Sequence, residues 1–380
     1  MHRAKLPRLK PVMLIQDYPI LSEIDIDEPY SAASNLSFLS SLYKVGIKQS
    51  DIELTYLSYS RPTKENFDWK NFFKKHKQLS DFEIENQYTR LKHQKDLFVD
   101  NELWQNFQSL LDEIKLVKPK LIIITGKWSL FLLTGLISYI DTQSRANAQK
   151  PLGGITKYRA SIMNIWKGFH LEPSIVIPVY PGVVKQRDPS KVPIMTWDFK
   201  KLGDVFESVV VKQEPLIKWT KPQREAIICD SLEVTIYWLT LLLIQLELAP
   251  LKVSIDIETK MGTIDCIGFS WCKHFGVCVP FLTELTSSCW TFDEELEITL
   301  LINKILEHKN LQVVGQNFSY DSAWFSKYNL INLNPTLDTM ILNHVLYNYM
   351  QKDLGFLASV YCNTFIYWKG MQEHVAEGVK

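Results

Sequence analysis

Two observations predict an α/β protein with more than one layered domain. Short runs of branched apolar residues recur along the chain, PVMLI, LIIIT and VSIDIET among them, and runs with helical apolar spacing alternate with them. Length agrees, because 380 residues at about 150 per domain suggest two domains or three. The 46% hydrophobic and 12% aromatic content supplies sizeable cores and excludes a disordered chain.

In chain order, Pro11 to Ile15 reads as a buried strand and Ser34 to Val45 as a helix with Leu36, Leu39, Leu42 and Tyr43 on one side. Asn66 to Val99, rich in Lys, Gln and Phe, has helical spacing, and Asn101 to Val117 is a helix through Leu103, Phe107, Leu110, Leu111 and Ile114. Leu121 to Thr125 is a strand stopped by Gly126, with a helical run from Ser129 to Ile140 behind it, so a parallel sheet is expected. A polar stretch from Gln143 to Gly168 contains Gly153 and Gly154; Ile175 to Val179 is the next strand, ending at Tyr180-Pro181-Gly182. The polar run Lys212 to Arg224 marks a boundary. The expected division is a domain over 1–205, a linker over 206–222 and a second domain over 223–380.

The second domain opens with strand-like Ala226 to Cys229, helical Leu232 to Leu248 and the strand Val253 to Thr259. Cys266 to Trp271 and Gly276 to Phe281 alternate like an antiparallel meander, followed by a helix over Asp293 to Glu307 and a strand over Leu311 to Gly315. Meander, helix, further strand is the pattern of a ribonuclease H-like mixed sheet. The longest apolar stretch, Leu232 to Pro250, carries Glu233, Gln245 and Glu247 and reads as a buried amphipathic helix; no membrane partner is expected.

Net charge is zero, 42 basic against 42 acidic residues, yet residues 1–200 hold 28 basic and 21 acidic and residues 201–380 hold 14 and 21. A basic half suits phosphate and an acidic half suits carboxylates gathered around cations, although ordinary surface variation gives either. All six cysteines fall in the second half without a C-x-x-C pair. Cys266, Cys272 and Cys278 are six apart in strand-like sequence and read as buried free thiols. Basic residues at Arg3, Lys5, Arg8 and Lys10 precede no apolar signal-peptide core, so a reducing cytoplasm is expected.

The strongest chemical signal is Asp256-Ile257-Glu258 in an apolar strand. Residues two apart share a face, so two carboxylates stand side by side, and divalent cations offset their repulsion; hard oxygen ligands favour Mg²⁺ or Mn²⁺. The alternative is a solvated strand edge. In VVGQNFSYDSAWF the strand breaks at Gly315 and a helix begins near Tyr320, with Asp321 in its first turn, where it reaches the pair or serves as a helix-dipole partner.

These residues, with LDTMILNHVLY (Leu337 to Tyr347) and KDLGFLASVY (Lys352 to Tyr361), resemble in order and spacing the proofreading 3′–5′ exonuclease domain of family A DNA polymerases, within the DEDD exonuclease superfamily. The resemblance implies a two-metal mechanism with two Mg²⁺ or Mn²⁺ ions held by Asp256, Glu258 and Asp321, which activate a water and stabilise the charge on the scissile phosphate and the leaving 3′ oxygen. Asp256 would bridge the ions, Glu258 would orient the attacking water, and Asn317 would contact the 3′-terminal nucleotides; Asp338 is implied to be structural. The family's third motif, Tyr-x3-Asp, lies well downstream of the D-T-M segment, and the chain is expected to stop before it, leaving the domain incomplete. Tyr349 and Asp353 fit the pattern on the wrong side of the KDL helix, and neither His344 nor His374 has an Asp five residues on.

The first half is similar, more faintly, to the uracil-DNA glycosylase superfamily, and particularly to the glycosylase-like domain at the N-terminus of some phage family A polymerases. PVMLIQDYP, EPYSAASNLSFLSSLYKVGI, KPKLIIITGKWS, VYPGVV and TWDFKKL carry the similarity, which implies a three-layer α/β domain. The activating residues differ: Asp17 is the one candidate base, with a solvated loop acid as the simpler reading, and Tyr180 stands where a His would be. A DNA-binding domain without glycosylase activity is expected, with Lys157, Arg159, Lys167, Lys185, Arg187 and Lys191 on backbone phosphate.

Three functions follow as expectations. The first is the exonuclease part of a phage-type replicative polymerase, acting on a single-stranded 3′ end or primer-template DNA, with the polymerase domain and last carboxylate on a second polypeptide. The others are a non-catalytic DNA-binding or assembly subunit and an active uracil-DNA glycosylase.

Overall fold

The structure, a computed structural model, describes residues 9–25, 28, 30–60, 72–75, 78–91, 97–134, 155–219, 223–284, 287–331 and 336–364. Gly153, Gly154 and His374 lie outside them. The chain divides into two compact units, residues 1–221 with 358–380 and residues 222–357.

In the first unit β1 (Val12–Gln16), β2 (Ile52–Tyr56), β6 (Leu121–Ile124) and β8 (Ile175–Pro178) run parallel in the order β2-β1-β6-β8, and β7 (Met163–Asn164) is antiparallel on the β8 edge. Every residue of β1, β6 and β8 is buried, as parallel strands covered on both faces require. The helices are α1 (Leu21–Asp25), α2 (Ala33–Lys44), α3 (Asp81–Asn86), α4 (Asn101–Val117), α5 (Lys127–Thr134), the single turns α6 (Ile155–Tyr158) and α7 (Val184–Arg187), and α8 (Val192–Phe206). In α4 the Asp100 side chain accepts the N–H groups of Glu102 and Leu103, and Leu103, Phe107, Leu110, Leu111 and Ile114 face the core.

The helical expectation for Asn66 to Val99 fails in the described residues. They form β3 (Phe73–Lys75), β4 (Tyr88–Arg90) and β5 (Leu97–Asp100), an antiparallel sheet in the order β3-β5-β4, with only the short α3 between. Leu97, Phe98 and Val99 are consecutive and all buried, which suits a strand and not a helix face. The described residues of the expected linker, 206–219, hold secondary structure. Helix α8 runs on into a π-helical turn over Glu207–Val211, and buried Trp219 donates its indole N–H to Ser208 Oγ.

The second unit holds β9 (Glu225–Ile228), α9 (Leu232–Leu248), β10 (Leu251–Lys260), β11 (Thr263–Ser270), β12 (Phe275–Pro280), α10 (Phe292–Glu307), β13 (Leu311–Gly315), α11 (Phe318–Lys327), β14 (Thr336–Asp338) and α12 (Thr339–Leu346); α13 (Leu354–Tyr361) begins in it. The sheet order is β14-β13-β10-β11-β12-β9, antiparallel through β10-β11-β12 and parallel elsewhere, which is a ribonuclease H-like mixed sheet. One face packs against Leu239, Leu242 and Leu246 of α9 and Ile298, Ile302 and Ile305 of α10. Helix α9 is less enclosed than expected, since Tyr237, Ile244 and Leu248 are exposed. All six cysteines are free, but only Cys229 is buried; Cys266, Cys272, Cys278 and Cys289 are half-buried and Cys362 is exposed. Among the described residues no helix is long and apolar enough to cross a membrane.

Candidate active site

Strand β10 alternates cleanly. Val253, Ile255 and Ile257 enter the core, while Lys252, Ser254, Asp256 and Glu258 are exposed on the other face. Its parallel ladder with β13 ends at Ser254↔Val314. The chain then turns at Gly315, where a Cβ would stand 2.6 Å from the Phe318 ring, and at Asn317, which adopts φ 58°. That turn starts α11 at Phe318, two residues ahead of the expected start, and brings Asp321 back onto β10. Asp321 Oδ1 accepts the N–H of Ile257 at 3.0 Å, a position the β13 ladder no longer reaches.

Asp321 is only 3% exposed. Burial pushes its carboxyl up to about 6, the Asp256 and Asp338 charges add to the rise, and the Ile257 N–H opposes it. Desolvation raises the Asp256 carboxyl as well. Glu258 sits at a β-bulge: it pairs with Cys266, but Thr259 pairs with Ile264, so Asp265 is left over on β11. Next to the two acids, Thr259 Oγ1 and Tyr320 OH meet at 2.8 Å.

The donors Asp256, Glu258 and Asp321 are hard carboxylate oxygens whose mutual repulsion a divalent cation would offset, so they fit Mg²⁺ or Mn²⁺ in kind. They are not drawn into one cluster: among the described residues no three His, Cys, Asp or Glu side chains are gathered to hold an ion.

Asn317 is exposed at the start of α11, and its backbone N–H and that of Phe318 donate to the Asp338 carboxylate at 3.1 and 2.8 Å. The same carboxylate accepts from Met340 and Ile341 at the start of α12, so Asp338 ties two helix starts together. Gln316, which the sequence reading passed over, donates to the Lys352 carbonyl and accepts from Thr339 Oγ1. Asp353 Oδ1 accepts the Phe356 N–H and so caps α13, and Tyr349 is exposed.

The first-unit expectations fare differently. Asp17 is no solvated loop acid. It is buried, its Oδ1 accepts Ser129 N and Oγ at 2.8 and 2.7 Å, and its Oδ2 accepts Trp128 N at 3.2 Å, so it caps the start of α5. Tyr180 is buried. Arg159 does not face phosphate: it is 3% exposed and paired at 2.5 Å with Asp198, itself 2% exposed, while a second nitrogen donates to Ser359 Oγ. Lys185 is held on α2 by Ser41 Oγ at 2.6 Å. Lys167 and Arg187 are exposed, and Lys157 and Lys191 are half-buried.

Residues 227–375 match a family model described as 3′–5′ exonuclease. Residues 227–375 carry a 3′–5′ exonuclease domain. Among solved structures, the chain is similar to the catalytic core of RRP6 from Trypanosoma brucei, at 19% identity over 41% of this chain and 41% of that one, TM-score 0.28. It is also similar to the EXD2 exonuclease domain soaked in Mn and GMP, at 17% identity over 40% and 69%, TM-score 0.25. Escherichia coli RNase D matches at 13% identity over 39% and 35%, TM-score 0.28. The chain thus spans about two fifths of the RRP6 core that it matches. No curated protein matches it.

Proposed function

We propose that the exonuclease domain is the proofreading 3′–5′ exonuclease of a family A-type DNA polymerase in phage DNA replication, and that it shortens single-stranded 3′ ends of primer-template DNA. The approach of Asp321 to β10 beside Asp256 and Glu258 carries the reading. Those three residues would hold two Mg²⁺ or Mn²⁺ ions, which when bound supply Lewis acidity to the scissile phosphate. Glu258 orients the attacking water, Asp321 works in its ionised form, and the exposed Asn317 meets the terminal nucleotide. A second polypeptide with the polymerase domain is the partner in this reading, and no membrane is involved.

The first unit is a uracil-DNA glycosylase-like DNA-binding domain in this proposal, supported by its parallel sheet. Glycosylase activity has no support from Asp17, because the helix cap engages both of its oxygens. A second reading, a non-catalytic assembly subunit that keeps the fold, is favoured by the lack of a three-ligand cluster among the described residues.

Incubating the chain with 5′-labelled single-stranded DNA and Mg²⁺ or Mn²⁺ tests the choice. Stepwise 3′ shortening that Asp256→Ala abolishes is expected. DNA binding without shortening in either metal, unchanged by Asp256→Ala and by addition of the polypeptide that carries the polymerase domain, would sink the exonuclease reading in favour of the second.

A further inference from the structure

The exposed face of the exonuclease sheet carries thiols beside its carboxylates. Strands β11 and β12 pair as Cys266↔Pro280 and Gly268↔Cys278, so Cys266 and Cys278 are diagonal neighbours on one face, with Ile267, Val277 and Val279 buried on the other. Neighbouring Cys278 holds the Cys266 thiol above its usual range, and Cys266 in turn lowers the Cys278 thiol to about 7. On the next strand Glu258 pairs with Cys266 and Asp256 with Gly268, so the thiols share the face of the two acids. Both cysteines are half-buried and neither is in a disulfide.

We propose that Cys266 and Cys278 are a reversible disulfide site whose closure, on the exonuclease reading above, switches the neighbouring carboxylates off. The oxidant is a low-molecular-weight disulfide. The Cys278 thiol gives up its proton and its sulfur bonds one sulfur of that disulfide, expelling the other as a small thiol. Cys266 then gives up its proton, its sulfur bonds that of Cys278, and the second small thiol leaves. The protein loses two protons and two electrons, and the small disulfide becomes two thiols.

Diagonal residues on an antiparallel ladder lie about 7–8 Å apart between Cα atoms. A disulfide needs about 4.4–6.8 Å. Closure therefore draws β11 and β12 together and shifts Cys266 under Glu258, beside the bulge at Asp265. A displacement of about 1 Å in a catalytic group costs up to about 100-fold in rate.

The test uses the full chain with Cys272→Ser and Cys289→Ser, which leaves one cysteine on each of the two tryptic peptides separated at Lys273. After oxidised glutathione, alkylation and mass spectrometry should find the two peptides linked. Mg²⁺-dependent shortening of single-stranded DNA should fall about 10- to 100-fold, recover with dithiothreitol, and stay constant when Cys278→Ser is added. Alkylation of both Cys266 and Cys278 after the oxidant, a persistent glutathione adduct without a link, or a linked protein that cuts at full rate would each overturn the proposal. A reduced chain that never cuts, with or without the polypeptide that carries the polymerase domain, refutes the exonuclease reading instead. Linkage, with its effect on Mn²⁺ affinity by titration calorimetry, then still decides for or against the switch: linked protein with weakened binding supports it, and unchanged binding overturns it.

Discussion

Asp17 and Asp321, one in each unit, are both buried and both have carboxyls that burial pushes above the usual range. Around Asp17 everything is compensating: three donors from Trp128 and Ser129 and the Lys127 cation. Around Asp321 two N–H groups, those of Ile257 and of Asp321 itself, oppose two like charges, Asp256 and Asp338. Burial alone therefore does not single out a reactive acid; the sign of its neighbours and the number of its donors do.

The comparison breaks most visibly in catalysis. Asp321→Asn and Asp256→Ala should each slow 3′ shortening on the order of 100- to 1,000-fold, while Asp17→Asn leaves the rate of folded protein untouched; an equal loss from Asp17→Asn would erase the distinction. In stability the ranking reverses. Arg159→Ala leaves Asp198 buried without its partner and should cost about 3–5 kcal/mol in urea unfolding, and Asp17→Ala, which orphans the α5 start, about 1–3 kcal/mol.

Titration sharpens the contrast. The folded value of about 6 for Asp321 lies above the ordinary 3.8, so the folded chain binds a proton that the unfolded chain has released between those values. Stability therefore falls as pH rises through that window, and the deficit is complete above about pH 6. Asp321→Asn should remove this slope, measured by thermal unfolding against pH, and should be the more stable form at pH 7. Mn²⁺ at a hundredfold excess over its dissociation constant should stabilise the unsubstituted chain by about 2.7 kcal/mol, a gain that Asp321→Asn reduces. The smallest effect expected is for exposed Lys167→Ala, which lowers the slope of DNA affinity against salt by about one counterion; Lys185→Ala, already held on Ser41, should not change it.

Elements set by local pattern were legible in the sequence. The alternation of Val253, Ile255 and Ile257 marks β10, and the apolar stripe from Leu103 to Ile114 marks α4. What the sequence hid depends on distant partners. Arg159 reads as a surface cation until Asp198, 39 positions away, is packed against it. Asp17 reads as a loop acid until Ser129, 112 positions away, arrives with its N–H and hydroxyl. Asp321 was legible because its helix and the strand it meets are both strongly patterned, whereas Gln316, with partners at Thr339 and Lys352, left no local mark.

The Asp338 carboxylate accepts four backbone N–H groups, from Asn317, Phe318, Met340 and Ile341. Helices α11 and α12 therefore cannot fray independently at their starts. In native-state hydrogen exchange these four amides should open as one cooperative event, with a shared dependence on denaturant. The turn that aims Asp321 is thus only as persistent as the start of a helix some twenty residues further along the chain.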